Sequence, residues 1–142
     1  MPTRKASADW NGTLKGGHGK YQGETGLAGS YSFVSRFEPG MTGSNPEELL
    51  AAAHAGCFSM ALSGSLEKAG ATPEHVHTEA ACTVERVGDG FRITTMRLTS
   101  RVKASGIDAA KFKEVAEATK ASCPVSGALR NNVQVELDAT LE

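Results

Sequence analysis

The sequence has almost no net charge: 15 Lys and Arg stand against 16 Asp and Glu, for a formal −1. Nucleic acid and anionic membranes select a basic excess, so neither is expected as a partner. No apolar run follows the charged start at Met1 to Lys5, so no signal peptide is expected and the cytoplasm is the default compartment. Cysteine is sparse and odd in number, three in 142 residues. Without a secretory signal, that count argues against a structural disulfide framework and for thiols that stay reduced or cycle. Cys-x-x-Cys pairs are absent, and the glycine-rich turns such as Gly16 to Gly19 lack the strand-turn-helix setting that binds phosphate. With no repeat and no linker, residues 1–142 read as one domain large enough for a real core.

What the chain does contain is one long run of apolar and small residues. Asn45 to Gly70 predicts a single helix: Asn45 suits the N-cap, Pro46 the first helical position, and Glu48 the return arm of a capping box. That assignment leaves Glu47 uncommitted. Gly70 suits the left-handed position past the end, and Pro73 prevents the helix from resuming. Between Leu49 and Leu66 only His54 and Cys57 carry ionisable side chains. Such a helix is expected to be covered on every side. The run is about as long as the lower limit for a bilayer span. Its Ala, Gly and Ser gain little from lipid, however, and let other backbones approach closely, so the reading is the core of a tightly packed, dimeric protein.

The rest of the chain alternates. Ala8 to Leu14, Gly19 to Thr25 and Tyr31 to Phe37 predict three short antiparallel strands, followed by a turn at Phe37 to Gly40 and a loop over Gly40 to Ser44. Val76 to Val87 and Phe91 to Val102 predict a hairpin about Gly88-Asp89-Gly90, with a bulge near Thr94 and Thr95. Asp108 caps a second helix that must stop before Pro124, because the residue preceding proline is pushed out of the helical region. Pro124 opens a short helix to Leu129, and Val133 to Leu141 is a last strand. The order gives an α+β domain of antiparallel strands, a long central helix and a second helix.

Candidate chemistry centres on the cysteines. Cys123 precedes Pro124 at a helix start, where free backbone N–H groups favour a thiolate. Cys57 lies mid-helix, and Cys82 sits on the apolar face of a strand, where packing explains it. Cys57 and Cys123 are therefore a candidate attacking and resolving pair, although each also has a plain reading as a packed or capping side chain. A thiolate needs a positive neighbour. Arg36, placed on the Ser32, Val34, Arg36 face of the third strand, is the candidate, and Glu47 can fix its guanidinium in a bidentate pair. Glu47 and Cys57 stand about 15 Å apart along one helix, a gap that a dimer resolves by offering Arg36 and Glu47 of one subunit to Cys57 of the other. A metal at His54, Cys57 and Cys123 lacks a fourth ligand at usual spacing. His54 reads as a packed residue with one hydrogen bond.

The segments Asn-Pro-Glu-Glu-Leu-Leu-Ala-Ala-Ala-His-Ala-Gly-Cys-Phe-Ser-Met-Ala-Leu at 45–62 and Cys-Pro-Val-Ser at 123–126 resemble the OsmC branch of the OsmC/Ohr family. The likeness extends to Trp10-Asn11-Gly12, Arg36-Phe37-Glu38 and Gly106-Ile107-Asp108, and so covers nearly the whole chain. It implies the OsmC-like fold, an intertwined homodimer with sites at the subunit interface, and a thiol peroxidase that reduces organic hydroperoxides in oxidative-stress defence. It further implies Cys57 as peroxidatic, Cys123 as resolving, Arg36 as thiolate partner and Glu47 as the residue orienting Arg36. No bound cofactor is implied, only an external dithiol reductant such as a protein-bound lipoyl group. Cys82 is not part of the family pattern.

On this reading the Cys57 thiolate, its pKa lowered by Arg36, attacks the peroxide, and an apolar surround of Phe58, Met60 and nearby leucines favours alkyl hydroperoxides. Two other classes compete: a non-catalytic dimer that binds a small ligand and uses its cysteines for packing, and a cysteine hydrolase with His54 as base.

Overall fold

Short alternating segments at the start of the chain build an antiparallel sheet of β1 (Ala6–Asn11), β2 (His18–Gly23) and β3 (Ala28–Tyr31), paired in that order. The computed structural model that shows this describes residues 1–40 and 42–142. The Tyr31 ring contacts both Trp10 and Tyr21, tilted to each, with ring centroids 5.5 and 5.8 Å away. Gly19 lies beneath them: a Cβ there would stand 2.6 Å from the Tyr31 ring, so no larger residue fits without moving it.

The predicted third strand, Tyr31 to Phe37, is corrected. β3 stops at Tyr31, and α1 (Phe33–Phe37) follows. Ser32 and Ser35 form a reciprocal capping box, each side chain accepting from the other's backbone amide at 3.0 and 2.8 Å. Two hydroxyls thus close a helical turn that the alternating pattern hides. The Ser35 hydroxyl also donates to the Ser44 carbonyl at 2.7 Å, tying the turn to the approach of the next helix. The loop expected over Gly40 to Ser44 includes Met41, which lies outside the described residues.

The long helix is α2 (Pro46–Lys68). Asn45 caps it as expected, its side chain accepting from the Glu48 amide at 2.8 Å. The Glu48 carboxylate accepts from the Ser44 hydroxyl at 3.1 Å. Gly70, at φ 88°, terminates the helix in the left-handed region. The chain divides into two compact units, Met1–Leu49 and Leu50–Glu142.

In the second unit, β4 (Thr72–Val87) and β5 (Gly90–Ser105) form the predicted hairpin, with Gly88 at φ 61° in its two-residue turn. The register skips Thr94 between the Thr83–Thr95 and Val84–Ile93 pairs, which places the expected bulge. Helix α3 (Ala109–Ser122) is capped by Asp108, whose carboxylate accepts from the Lys111 amide at 2.8 Å. Helix α4 (Pro124–Leu129) and strand β6 (Gln134–Leu141) complete the chain. β6 pairs parallel to β5, which departs from an all-antiparallel expectation. The helical connection through α3 and α4 is what permits it, since parallel neighbours need a long crossover and not a hairpin.

Residues of α2 four apart, His54, Phe58, Leu62 and Leu66, are fully buried, as are Met96, Leu98 and Val102 of β5 and Phe112 of α3. Hydroxyls of this interior pair with one another: Ser59 donates to Thr78 at 2.7 Å, and Thr78 and the buried Ser100 share a bond of 3.1 Å. The expectation that α2 is covered on every side does not hold within one chain. Ala52, Ala53, Gly56 and Met60 are exposed, Met60 at 81%. By length and composition α2 could cross a bilayer, but its stripe of larger side chains is committed to the core of the second unit.

Candidate active site

Three pairs of chemically capable side chains are held by these elements. The first is Cys57 on α2 and Cys123 between α3 and α4, 66 positions apart in sequence, with sulfurs at 3.2 Å. Both are thiols. A disulfide needs about 2.05 Å, so the sulfurs close by a little over 1 Å to bond. Cys57 is partly exposed, whereas Cys123 is 1% exposed. An oxidant arriving from solvent therefore meets Cys57 first.

The electrostatics of the two sulfurs differ. Burial pushes the Cys57 thiol up; the Val125 amide opposes this, and the Cys123 thiol and its charge reinforce it. Burial also acts against the Cys123 thiolate, but the Ser126 amide, the Cys57 thiol, the Ser126 hydroxyl and the Val125 amide together outweigh it and bring that thiol below its ordinary value. In the single chain, then, burial and the second sulfur hold the Cys57 thiol up; the lowering by Arg36 is expected across a subunit interface.

The second pair is Arg36 on α1 and Glu47 in the first turn of α2. Nε of Arg36 donates to both carboxylate oxygens at 3.1 and 3.2 Å, and Nη2 donates to Oε1 at 2.7 Å. Glu47 is 5% exposed. The guanidinium also lies 5.2 Å from the Phe37 ring centroid. With one face held by carboxylate, a guanidinium is fixed in orientation while its remaining N–H groups stay directed. Arg36 belongs to a helical turn, not to the strand face on which it was predicted. A pocket of about 200 Å³ adjoins it, lined by Trp10, Leu14, Tyr31, Ser32, Phe33 and Phe37.

The third pair is His54 and Ser126, 72 positions apart, with Nε2 and Oγ at 2.7 Å. His54 is fully buried, and burial holds it below the usual histidine range, hence neutral. It has the single hydrogen bond expected of it. Cys82 is half-buried on the core face of β4, opposite Met96.

Of the expected apolar surround of Cys57, Phe58 is locked in the core, while Met60, three residues on and so on the Cys57 side of the helix, is exposed. The aromatic pocket beside Arg36 is the apolar site that periodicity missed, because Trp10, Leu14 and Phe33 come from a strand end, a loop and a short helix. Ser126 was also missed; its only signal is its position three residues beyond Cys123. Among the described residues no group of three or more His, Cys, Asp or Glu converges as a metal site.

The family model described as OsmC-like protein matches residues 39–138. This chain is 44% identical over 135 residues to peroxiredoxin OsmC of Escherichia coli (strain K12), covering 94% of each. It is 33% identical over 100 residues to organic hydroperoxide resistance protein OhrB of Bacillus subtilis (strain 168), covering 70% of this chain and 71% of that protein. Among solved structures, an OsmC-like protein from Mycoplasma pneumoniae superposes with a TM-score of 0.77 over 99% of this chain and 97% of the other; at 12% identity that speaks to fold alone.

Proposed function

This chain belongs to the OsmC family, and from that premise we propose that it is a thiol peroxidase that reduces organic hydroperoxides to alcohols. The observation that carries the reading is the pair of reduced sulfurs at 3.2 Å, one reachable from solvent and one sealed behind it. The Cys57 thiolate attacks the distal peroxide oxygen; the O–O bond breaks, the alkoxide takes a proton and leaves as alcohol, and Cys57 becomes a sulfenic acid. The Cys123 thiolate then attacks that sulfur. An S–S bond forms, the S–O bond breaks, and hydroxide leaves to become water. An external dithiol, of which a lipoyl group is an example, exchanges with the disulfide and restores both thiols as it closes its own. The low Cys123 pKa alone would nominate Cys123 as first attacker, but its burial denies it the substrate. One equivalent of cumene hydroperoxide is expected to form a Cys57–Cys123 disulfide, read by peptide mass mapping, in wild type and in Cys82→Ser alike. An unchanged thiol count sinks the proposal and favours the non-catalytic ligand-binding reading.

Burial acts against the Cys57 thiolate in the single chain, and the working enzyme is proposed to be a homodimer in which Arg36 of one subunit, oriented by its Glu47, faces Cys57 of the other. The exposed small-residue face of α2 supports this, since Ala52, Ala53 and Gly56 allow close helix approach. The aromatic pocket beside Arg36 would hold the alkyl group of the substrate. Arg36→Ala and Cys57→Ser chains, each inactive alone, are expected to recover about a quarter of wild-type activity when unfolded and refolded together in equal amounts. That share follows from random pairing, in which half the dimers are mixed and each has one intact site. No recovery in demonstrably mixed dimers rules out sharing across subunits.

A further inference from the structure

His54 is fully buried, and its Nδ1 has no hydrogen-bond partner. That fixes how the ring is protonated. A buried N–H without an acceptor is rarer and costlier than a bare acceptor, so a neutral ring places its single proton on Nε2, where Ser126 Oγ accepts it at 2.7 Å. A serine hydroxyl has one proton to donate. If Oγ gave that proton to His54, nothing would remain for Cys123; because Oγ accepts from His54, its proton is free for another acceptor, and Cys123 stands at the N-cap of the short helix in which Ser126 is the third residue, where a bond from the Ser126 hydroxyl favours the Cys123 thiolate. Ser126 is 6% exposed and Cys123 1%, so water does not replace either partner easily.

We propose that His54 is a positioning residue for the resolving step: its Nε2–H holds the Ser126 hydroxyl with its proton directed at Cys123, so that Cys123 meets the oxidised Cys57 as a thiolate. The inference rests on the peroxidase reading and adds a residue to it. His54 touches neither the peroxide nor either sulfur in this scheme, and takes no proton. It differs from a general base in that respect, since a base would need to accept at Nε2, and the ring already donates there. The groups that set the charge on Cys123 come from two elements: the Cys57 thiol from α2, and from the α4 segment the Ser126 hydroxyl and the Ser126 and Val125 amides. His54, also on α2, acts on one of these and leaves the others in place. Removing it should therefore weaken the Cys123 thiolate without abolishing it.

The test titrates Cys123 by the ultraviolet absorbance of its thiolate in a Cys57→Ser, Cys82→Ser background, where it is the remaining sulfhydryl. Ser126→Ala and His54→Leu are each expected to raise the midpoint by about one pH unit. His54→Gln, whose amide N–H can stand where Nε2–H stood, is expected to keep it near the parent value. At neutral pH the same variants with both cysteines restored should close the disulfide about tenfold more slowly in Ser126→Ala and His54→Leu, following the thiolate fraction. A midpoint that does not move in folded Ser126→Ala, or that moves as far in His54→Gln as in His54→Leu, overturns the proposal. Should His54→Leu fail to fold, Ser126→Ala and His54→Gln decide. The titration uses no peroxide, so it reads the relay even if the chain consumes no hydroperoxide.

Discussion

Cys57→Ser is expected to abolish consumption of organic hydroperoxide, a loss of at least about a thousandfold given that serine at neutral pH offers almost no anion to attack oxygen. Cys123→Ser is expected to behave differently. Its Cys57 still reacts once, but the sulfenic acid has no sulfur at 3.2 Å to condense with, so a second equivalent of peroxide carries it to sulfinic acid. Coupled consumption assays and intact-protein mass spectrometry separate the two outcomes: no added oxygen on Cys57→Ser, two on the Cys123→Ser protein. The contrast also settles the order of attack. If Cys123, with its lowered pKa, were first, Cys57→Ser would turn over once and accumulate oxygen on Cys123. Exposure argues against that order, because Cys123 is sealed at 1% while Cys57 is within reach.

Phe58→Ala is expected to cost about 3–5 kcal/mol, the usual range for deleting a buried aromatic ring. Phe58 is fully buried in one cluster with Leu62, Leu66, Met96, Leu98 and Val102. The alanine would leave a cavity between α2 and the sheet, where strands and helix cannot collapse together without losing register. Set against a total of about 5–15 kcal/mol for a typical domain, the change removes a large share of the stability. Denaturant unfolding followed by far-ultraviolet circular dichroism measures it, and the thermal midpoint should fall by roughly 10 °C. A loss below 1 kcal/mol would mean that the 54, 58, 62, 66 stripe is not the face that holds α2 in place. The proposed disulfide chemistry depends on that face, because His54 and Cys57 are carried by the same two turns.

The comparison of sequence with structure follows the range over which each force acts. The N-cap at Asn45, the glycine stop at Gly70, the Gly88 hairpin and the bulge at Thr94 were legible because each is decided within one turn or one pleat. The third strand was not, since Ser32 and Ser35 satisfy each other's amides and convert an alternating segment into a helical turn. Phe58 and Met60 both read as apolar lining on a helix wheel with no polar side. Only packing decided that one faces the sheet and the other faces out.

By itself the sequence determined most of the elements and their order, α1 excepted, and put Cys57 and Cys123 forward as candidates, because residue spacing and turn chemistry need nothing beyond neighbours in the chain. The tertiary structure decided what those residues meet: Cys57 with Cys123 across 66 positions, His54 with Ser126 across 72, and Arg36 with Glu47 through the turn of α1. The physical reason is that burial of the α2 stripe against β5 and α3 sets the positions of the facing side chains, and no local pattern encodes which distant partner fills the remaining space.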